Sequence, residues 1–112
     1  MKKLRRFNPP DLWRTFTIEF RENPDGIRVY GFNERNLKYD KFMGIIYFNS
    51  LHSIFCFEPN YKFFHFNTPP LYEKNIEDIN RKLNHFWGEH AYLTEEAIDY
   101  LMSLSMMDKL TK

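Results

Sequence analysis

Residues 42–66, FMGIIYFNSLHSIFCFEPNYKFFHF, constrain this chain more than any other stretch. They are its most apolar and aromatic part and carry two formal charges, Glu58 and Lys62. Apolar side chains stand at consecutive positions: Ile45 and Tyr47 alternate with Ile46 and Phe48, and Phe63 and His65 with Phe64 and Phe66. A strand that is apolar on both sides is covered twice or faces a partner. The flanking sequence reads as the cover, with a strand pair before this stretch and two helices after it.

The strand pair is written in alternation. Over 12–22, Phe16, Ile18 and Phe20 point one way, and Thr15, Thr17, Glu19 and Arg21 the other, which is the period of a half-buried antiparallel strand. Asn23-Pro24-Asp25-Gly26 predicts a turn, because proline fixes the first bend and glycine accepts positive φ. The return strand spans 27–32. Residues 33–41 are polar and read as a loop or irregular edge. Further strands are expected at 42–48, 54–57 and 61–66. Between the first two, Asn49-Ser50 either turns the chain or marks a bulge.

After Asn67-Thr68-Pro69-Pro70 the period changes to that of a helix. Tyr72, Ile76, Ile79, Leu83, Phe86 and Trp87 form one stripe at 3.6-residue spacing. Thr68 ahead of Pro69 suits the helix start, and Asn75 with Asp78 is a rival start. On the opposite side, Glu77 with Arg81 and Asp78 with Lys82 are expected as i,i+4 ion pairs. Gly88 ends the helix. Thr94-Glu95-Glu96 opens a second one, with Leu93 and Ile98 spaced as a hydrophobic staple. Its apolar residues, from Ala97 to Met107, cover more than half the cylinder.

The fold expected is therefore α+β: an antiparallel β-meander of four to five strands, followed by two C-terminal α-helices packed on one sheet face. The 112 residues suit one domain, and a chain of that size buries roughly two-thirds of its unfolded surface. Residues 1–11, with Lys2, Lys3, Arg5, Arg6 and Pro9-Pro10, read as a flexible basic arm. They have no apolar segment behind them and do not read as a secretory signal. The single cysteine, Cys56, forms no intrachain disulfide, and a reducing, cytoplasmic setting follows as an expectation.

Composition narrows function by elimination. Aromatic residues make up 19% of the chain, rich in Phe, Tyr and Asn, as an AT-rich phage or mobile-element genome would encode. Residues 1–41 hold ten Lys/Arg against six Asp/Glu, and residues 67–112 five against eight, so the charge runs from basic to acidic. His85-Phe86-Trp87-Gly88-Glu89-His90 spaces its histidines at i,i+5, which shares no helix face, and zinc needs three or four convergent ligands. His52 and His65 stand alone. Cys56, between Phe55 and Phe57, reads as a small buried hydrophobe. The four glycines are scattered and make no phosphate loop. No metal, cofactor or catalysis is expected.

The function expected is a protein-binding module, such as an inhibitor of a host protein. Surplus rings would meet the partner through Tyr47, Phe55, Phe57, Tyr61, Phe64, Tyr100, Leu104 and Met107. Self-association could use the last helix or the second sheet face. The alternative is a nucleic-acid module, with Lys2, Lys3, Arg5, Arg6 and Arg28 on phosphates and Tyr30 stacking on a base.

Overall fold

Alternation over 16–33 and the Asn23–Gly26 turn produce the hairpin they predict, and the rest of the sheet grows outward from it. A computed structural model describes residues 3–7, 16–33, 36–60 and 68–110, and their side chains apart from 16, 32, 33, 36–40 and 107–110. The strands are β1 (Lys3–Phe7), β2 (Phe16–Asn23), β3 (Gly26–Asn33), β4 (Asn36–Asn49), β5 (Ile54–Pro59) and β6 (Leu71–Glu73). Helices α1 (Ile76–Trp87) and α2 (Glu95–Leu110) follow. Each strand pairs antiparallel with the next in chain order, so the α+β meander is as expected.

The strand count is corrected from four or five to six among the described residues. The segment expected as a loose arm supplies β1, whose Phe7, Arg6 and Arg5 pair with Ile18, Glu19 and Phe20. The expected polar loop at 33–41 is mostly strand, because β4 begins at Asn36 and its first residues continue the pairing with β3. The strand expected at 61–66 lies outside the described residues. Residues 71–73, expected as the first helical turn, form β6 instead.

Register separates the two sides of the sheet. Ile18, Phe20, Ile27, Val29, Ile46, Phe55, Phe57 and Leu71 share the first face and are buried. Phe7 joins them, and Leu4 packs against the cluster at the irregularity between Lys3 and Arg5. A second irregularity lies between Val29 and Tyr30, near the buried Met43. Such bulges raise local twist and bend a sheet. Gly26, at φ 144°, closes the β2–β3 turn; a Cβ there would lie 2.3 Å from the Ile46 carbonyl oxygen. Ser50, Leu51, His52 and Ser53 turn β4 into β5, and the Asn49 side-chain carbonyl accepts the Leu51 and His52 amides at 3.0 and 3.3 Å.

The helices deliver their stripes to the same cluster. Ile76, Ile79, Leu83 and Trp87 of α1 are buried, as are Ala97 and Leu101 of α2. Their seats differ, which refines the single shared packing expected: α1 lies against β5 and β6, and α2 against β3 and β4. Phe86, expected in the stripe, is exposed, as is Tyr72. Asn75, the rival start, takes the N-cap position. Thr68 has a different task. Its hydroxyl accepts the Trp87 indole N–H at 2.7 Å, tying the approach to β6 to the end of α1.

Gly88 and Thr94 cap as predicted. The Gly88 amide donates to the Asn84 carbonyl at 2.9 Å, and the Ala97 amide donates to the Thr94 hydroxyl at 3.2 Å. Two asparagines of α1 hold the crossing between the helices. The Asn80 side-chain carbonyl accepts the Leu93 amide at 2.6 Å, and the Asn84 side-chain amide donates to the Ala91 carbonyl at 3.0 Å. The expected i,i+4 ion pairs are replaced by Arg81 with Asp78, at 3.1 Å, and Lys82 with Glu73 of β6.

Candidate binding face

The second face of the sheet follows from the same register. Arg6 stands opposite Glu19, Glu19 opposite Tyr30, Tyr30 opposite Phe42, and Tyr47 opposite Cys56. Arg21, Arg28, Ile45 and Glu58 form the adjacent row of this face, each opposite the next, and Tyr72 of β6 stands opposite Cys56. Arg21 therefore stands opposite Arg28 and Tyr30 opposite Phe42, so a pair of guanidinium groups and a pair of rings lie side by side across β2, β3 and β4.

At one end of the row sits Glu19, whose side chain is 1% exposed. Arg6 donates through Nε and a terminal nitrogen to Oε2 at 2.9 and 2.6 Å, and Arg21 donates through Nε to Oε1 at 2.7 Å. A carboxylate so far from water must be matched by charge and hydrogen bonds. Burial alone would raise the Glu19 carboxyl, but the bonds and charges of Arg21 and Arg6 outweigh it and hold the group below its ordinary value. The Arg21 guanidinium lies over the Tyr30 ring at 4.3 Å. Tyr30 meets Phe42 at a centroid distance of 5.8 Å, and Arg28 reaches over Phe42 at 5.2 Å. Arg28 also pairs with Asp25 at 2.7 Å, which lowers the Asp25 carboxyl and raises the guanidinium.

At the other end, the Tyr47 hydroxyl donates to Glu58 Oε1 at 2.6 Å. Burial, then this bond, raises its pKa, so the phenol stays protonated in any ordinary buffer. Cys56 beneath it is fully buried, and burial likewise raises its thiol. Native protein in mildly alkaline buffer should therefore react with an aromatic disulfide reagent only as fast as it unfolds, and urea should release the full signal. Rapid labelling without denaturant would contradict this burial.

The predicted contact residues divide sharply. Tyr47 is half-buried on this face. Phe55 and Phe57 lie inside the core, packed edge-on against Phe48 and Trp87 at 5.3 Å each, because register turns them towards the helices. Tyr100 is half-buried and its hydroxyl donates to the Asn23 carbonyl at 2.6 Å, fastening α2 to the β2–β3 turn. Leu104 is half-buried. Tyr61, Phe64 and the Met107 side chain lie outside the described residues.

Among the residues of the nucleic-acid alternative, Arg28 and Tyr30 come together on the second face, while Lys3 is exposed at the start of β1. Arg6 is bound to Glu19 as above. Arg5 leans the other way: it donates to the His90 carbonyl at 3.2 and 3.1 Å and stacks over the Tyr92 ring at 3.8 Å. Lys2 lies outside the described residues.

Sequence reasoning missed Glu19 as the hub, because alternation alone assigns it to a polar, wet side. The available signal was Arg21 two residues later on the same side, a neighbour that a buried glutamate requires. His52, His85 and His90 are exposed, and among the described residues no three His, Cys, Asp or Glu side chains converge as metal ligands. No described helix is long and apolar enough to cross a membrane. No family model, no curated protein and no solved structure matches this chain.

Proposed function

We propose that this chain is a small protein-binding module without chemistry of its own, which acts by occupying a partner protein through the second face of its sheet, as an inhibitor does. The observation that carries this reading is the row of Tyr30, Phe42, Ile45 and Tyr47. All four are half-buried, not sealed, and three of the rings or their neighbours are locked by Arg21, Arg28 and Glu58. Aromatic and arginine side chains fixed in place dominate the energetic centres of protein interfaces, because they bring large area at little cost in rotamer entropy. The cations favour a protein over a nucleic acid. Arg5, Arg6, Arg21 and Arg28 each bind a carbonyl or carboxylate of this same chain, whereas phosphate contacts need guanidinium groups offered outward.

The test compares wild type with a Phe42→Ser/Tyr47→Ser variant, each immobilised at equal density and challenged with lysate of the cell that makes it. A protein retained by wild type and lost from the variant, with thermal melts showing both folded, supports the proposal. Equal capture by both moves the interface elsewhere. Salt-dependent binding of a labelled oligonucleotide by wild type, weakened in the variant, would replace the protein reading with the nucleic-acid one.

A further inference from the structure

The turn between β4 and β5 projects past the end of the sheet and is built unlike an ordinary turn. No Asp, Glu, Lys or Arg stands between Lys41 and Glu58, so the hairpin from Phe42 to Phe57 is free of those charges, tip included. At the tip, Leu51 is 80% exposed, more than any other large apolar side chain among the described residues. A lone leucine on a surface is ordinary. A turn is a different place, because Gly, Asn, Asp and Pro normally build it and suit both water and the tight bend. This tip has no glycine, although Ser53 takes the left-handed conformation at φ 52°, which is unfavourable for a residue with a Cβ. The tip is also held in place, since the Asn49 side-chain carbonyl accepts the Leu51 and His52 amides.

We infer that this tip is an insertion key: Leu51 enters an apolar pocket of the partner protein, beside the surface that meets Tyr47. The inference rests on the protein-binding reading above and adds the shape of the partner. A convex apolar tip gains most from a concave site, which closes round the isobutyl group and removes all of it from water. The absence of carboxylate and ammonium groups lets the rim dry without burying an unpaired ion. Rigidity acts in the same direction, because a tip already fixed by Asn49 loses little freedom on docking. Alternation from Ile45 and Tyr47 puts Asn49 on the second face, so the key continues that face round its end. A lipid surface is the poorer occupant. One leucine buries little area there, and the hairpin offers no lysine or arginine beside it to meet anionic headgroups.

A photoreactive benzophenone side chain placed at position 51 of the full chain tests this, irradiated in lysate of the cell that makes the protein. The same probe at position 47, and at position 102 on α2, gives the comparison. The expected result is one discrete protein adduct from position 51, attached through an apolar residue of a pocket, shared with position 47 and absent from position 102. That protein, once purified, should bind Leu51→Asp about tenfold more weakly than wild type, or worse. Asn49→Ala, which keeps the leucine but frees its amide, should also weaken binding. The thermal melt of Leu51→Asp should match wild type, because the residue lies outside the core. No adduct from position 51 where position 47 gives one overturns the key and leaves the sheet-face reading standing. An adduct from position 51 without one from position 47 supports the key and takes the interface off the sheet face. Adducts from neither overturn both. Equal labelling from position 102, attachment to lipid, or equal affinity of wild type and Leu51→Asp overturns the key.

Discussion

Glu19→Ala is expected to destabilise the protein by about 3–5 kcal/mol, the usual cost of removing one partner from a buried ion pair. The loss does not come from the carboxylate itself. It comes from Arg21, 13% exposed, which would keep its charge with the nearest counter-ion gone. Arg6 is half-exposed and can turn to water, so it adds little. The same logic predicts an asymmetry. Arg6→Met should cost far less than Glu19→Ala, and replacing all three residues with apolar ones of similar volume should recover most of the loss. Urea titrations of the four proteins give the comparison directly. A Glu19→Ala variant within about 0.5 kcal/mol of wild type, the range of an ordinary surface substitution, would rule out the buried hub.

The pH dependence follows from the direction of the Glu19 shift. Its folded carboxyl lies below the ordinary value of 4.5. The unfolded chain therefore takes up a proton first as pH falls. The contribution is complete above the unfolded value and disappears as pH drops through the folded one. Asp25, lowered by Arg28, adds the same sign at an exposed site and hence less. Glu19→Gln should flatten the acid limb of stability against pH, while Asp25→Asn changes it slightly. Urea midpoints compared at neutral pH and below 4.5 separate the two.

What the sequence states and what it hides differ by range. The Asn23–Gly26 turn, the Gly88 stop and the Thr94 cap were legible because each is set by residues within four positions of one another. The stripe of α1 was legible for the same reason. β1 was not. KLRRF has no apolar alternation, and its place at the sheet edge is set at long range: it pairs with β2, Phe7 enters the core, and Glu19, thirteen positions from Arg6, and the His90 carbonyl, eighty-five from Arg5, receive its guanidinium groups. Two starts of α1 stood open because Thr68-Pro69 has the local chemistry of a cap as well as Asn75; the Thr68 hydroxyl is claimed by an indole nineteen residues away, and Asn75 takes the N-cap position. Apolar positions 55 and 57 looked like surplus surface for a partner. Register with Phe48 and Ile46 fixed them on the helix side, and register is a long-range property that a one-residue slip would invert. On the second face, Arg28 and Tyr30 could be read as neighbours, whereas Phe42 joined them only through β3–β4 pairing.

Trp87 offers the strongest test of how the helices are fastened to the sheet. It is 2% exposed, its ring stands edge-on to Phe57 at 5.3 Å, and its N–H reaches Thr68 across the entry to β6. Trp87→Ala should cost about 3–5 kcal/mol, from lost burial and the cavity left between α1 and β5. Trp87→Phe keeps most of the ring and should cost roughly 1–3 kcal/mol, chiefly through the hydrogen bond to a buried hydroxyl. The alanine variant should also lose order unevenly. β6 has three residues, and both its pairing with β5 and its approach through Thr68 lie beside this indole. Amide protons of β5 and β6 should therefore exchange well before those of β2 and β3, whose shared core of Ile18, Phe20, Ile27 and Val29 stays filled. Uniform loss of protection over all strands would mean that the sheet opens as one unit and that α1 is not the separate clamp on its β5–β6 end. A cost below about 1 kcal/mol for the alanine change would mean that the ring is not packed between helix and sheet at all.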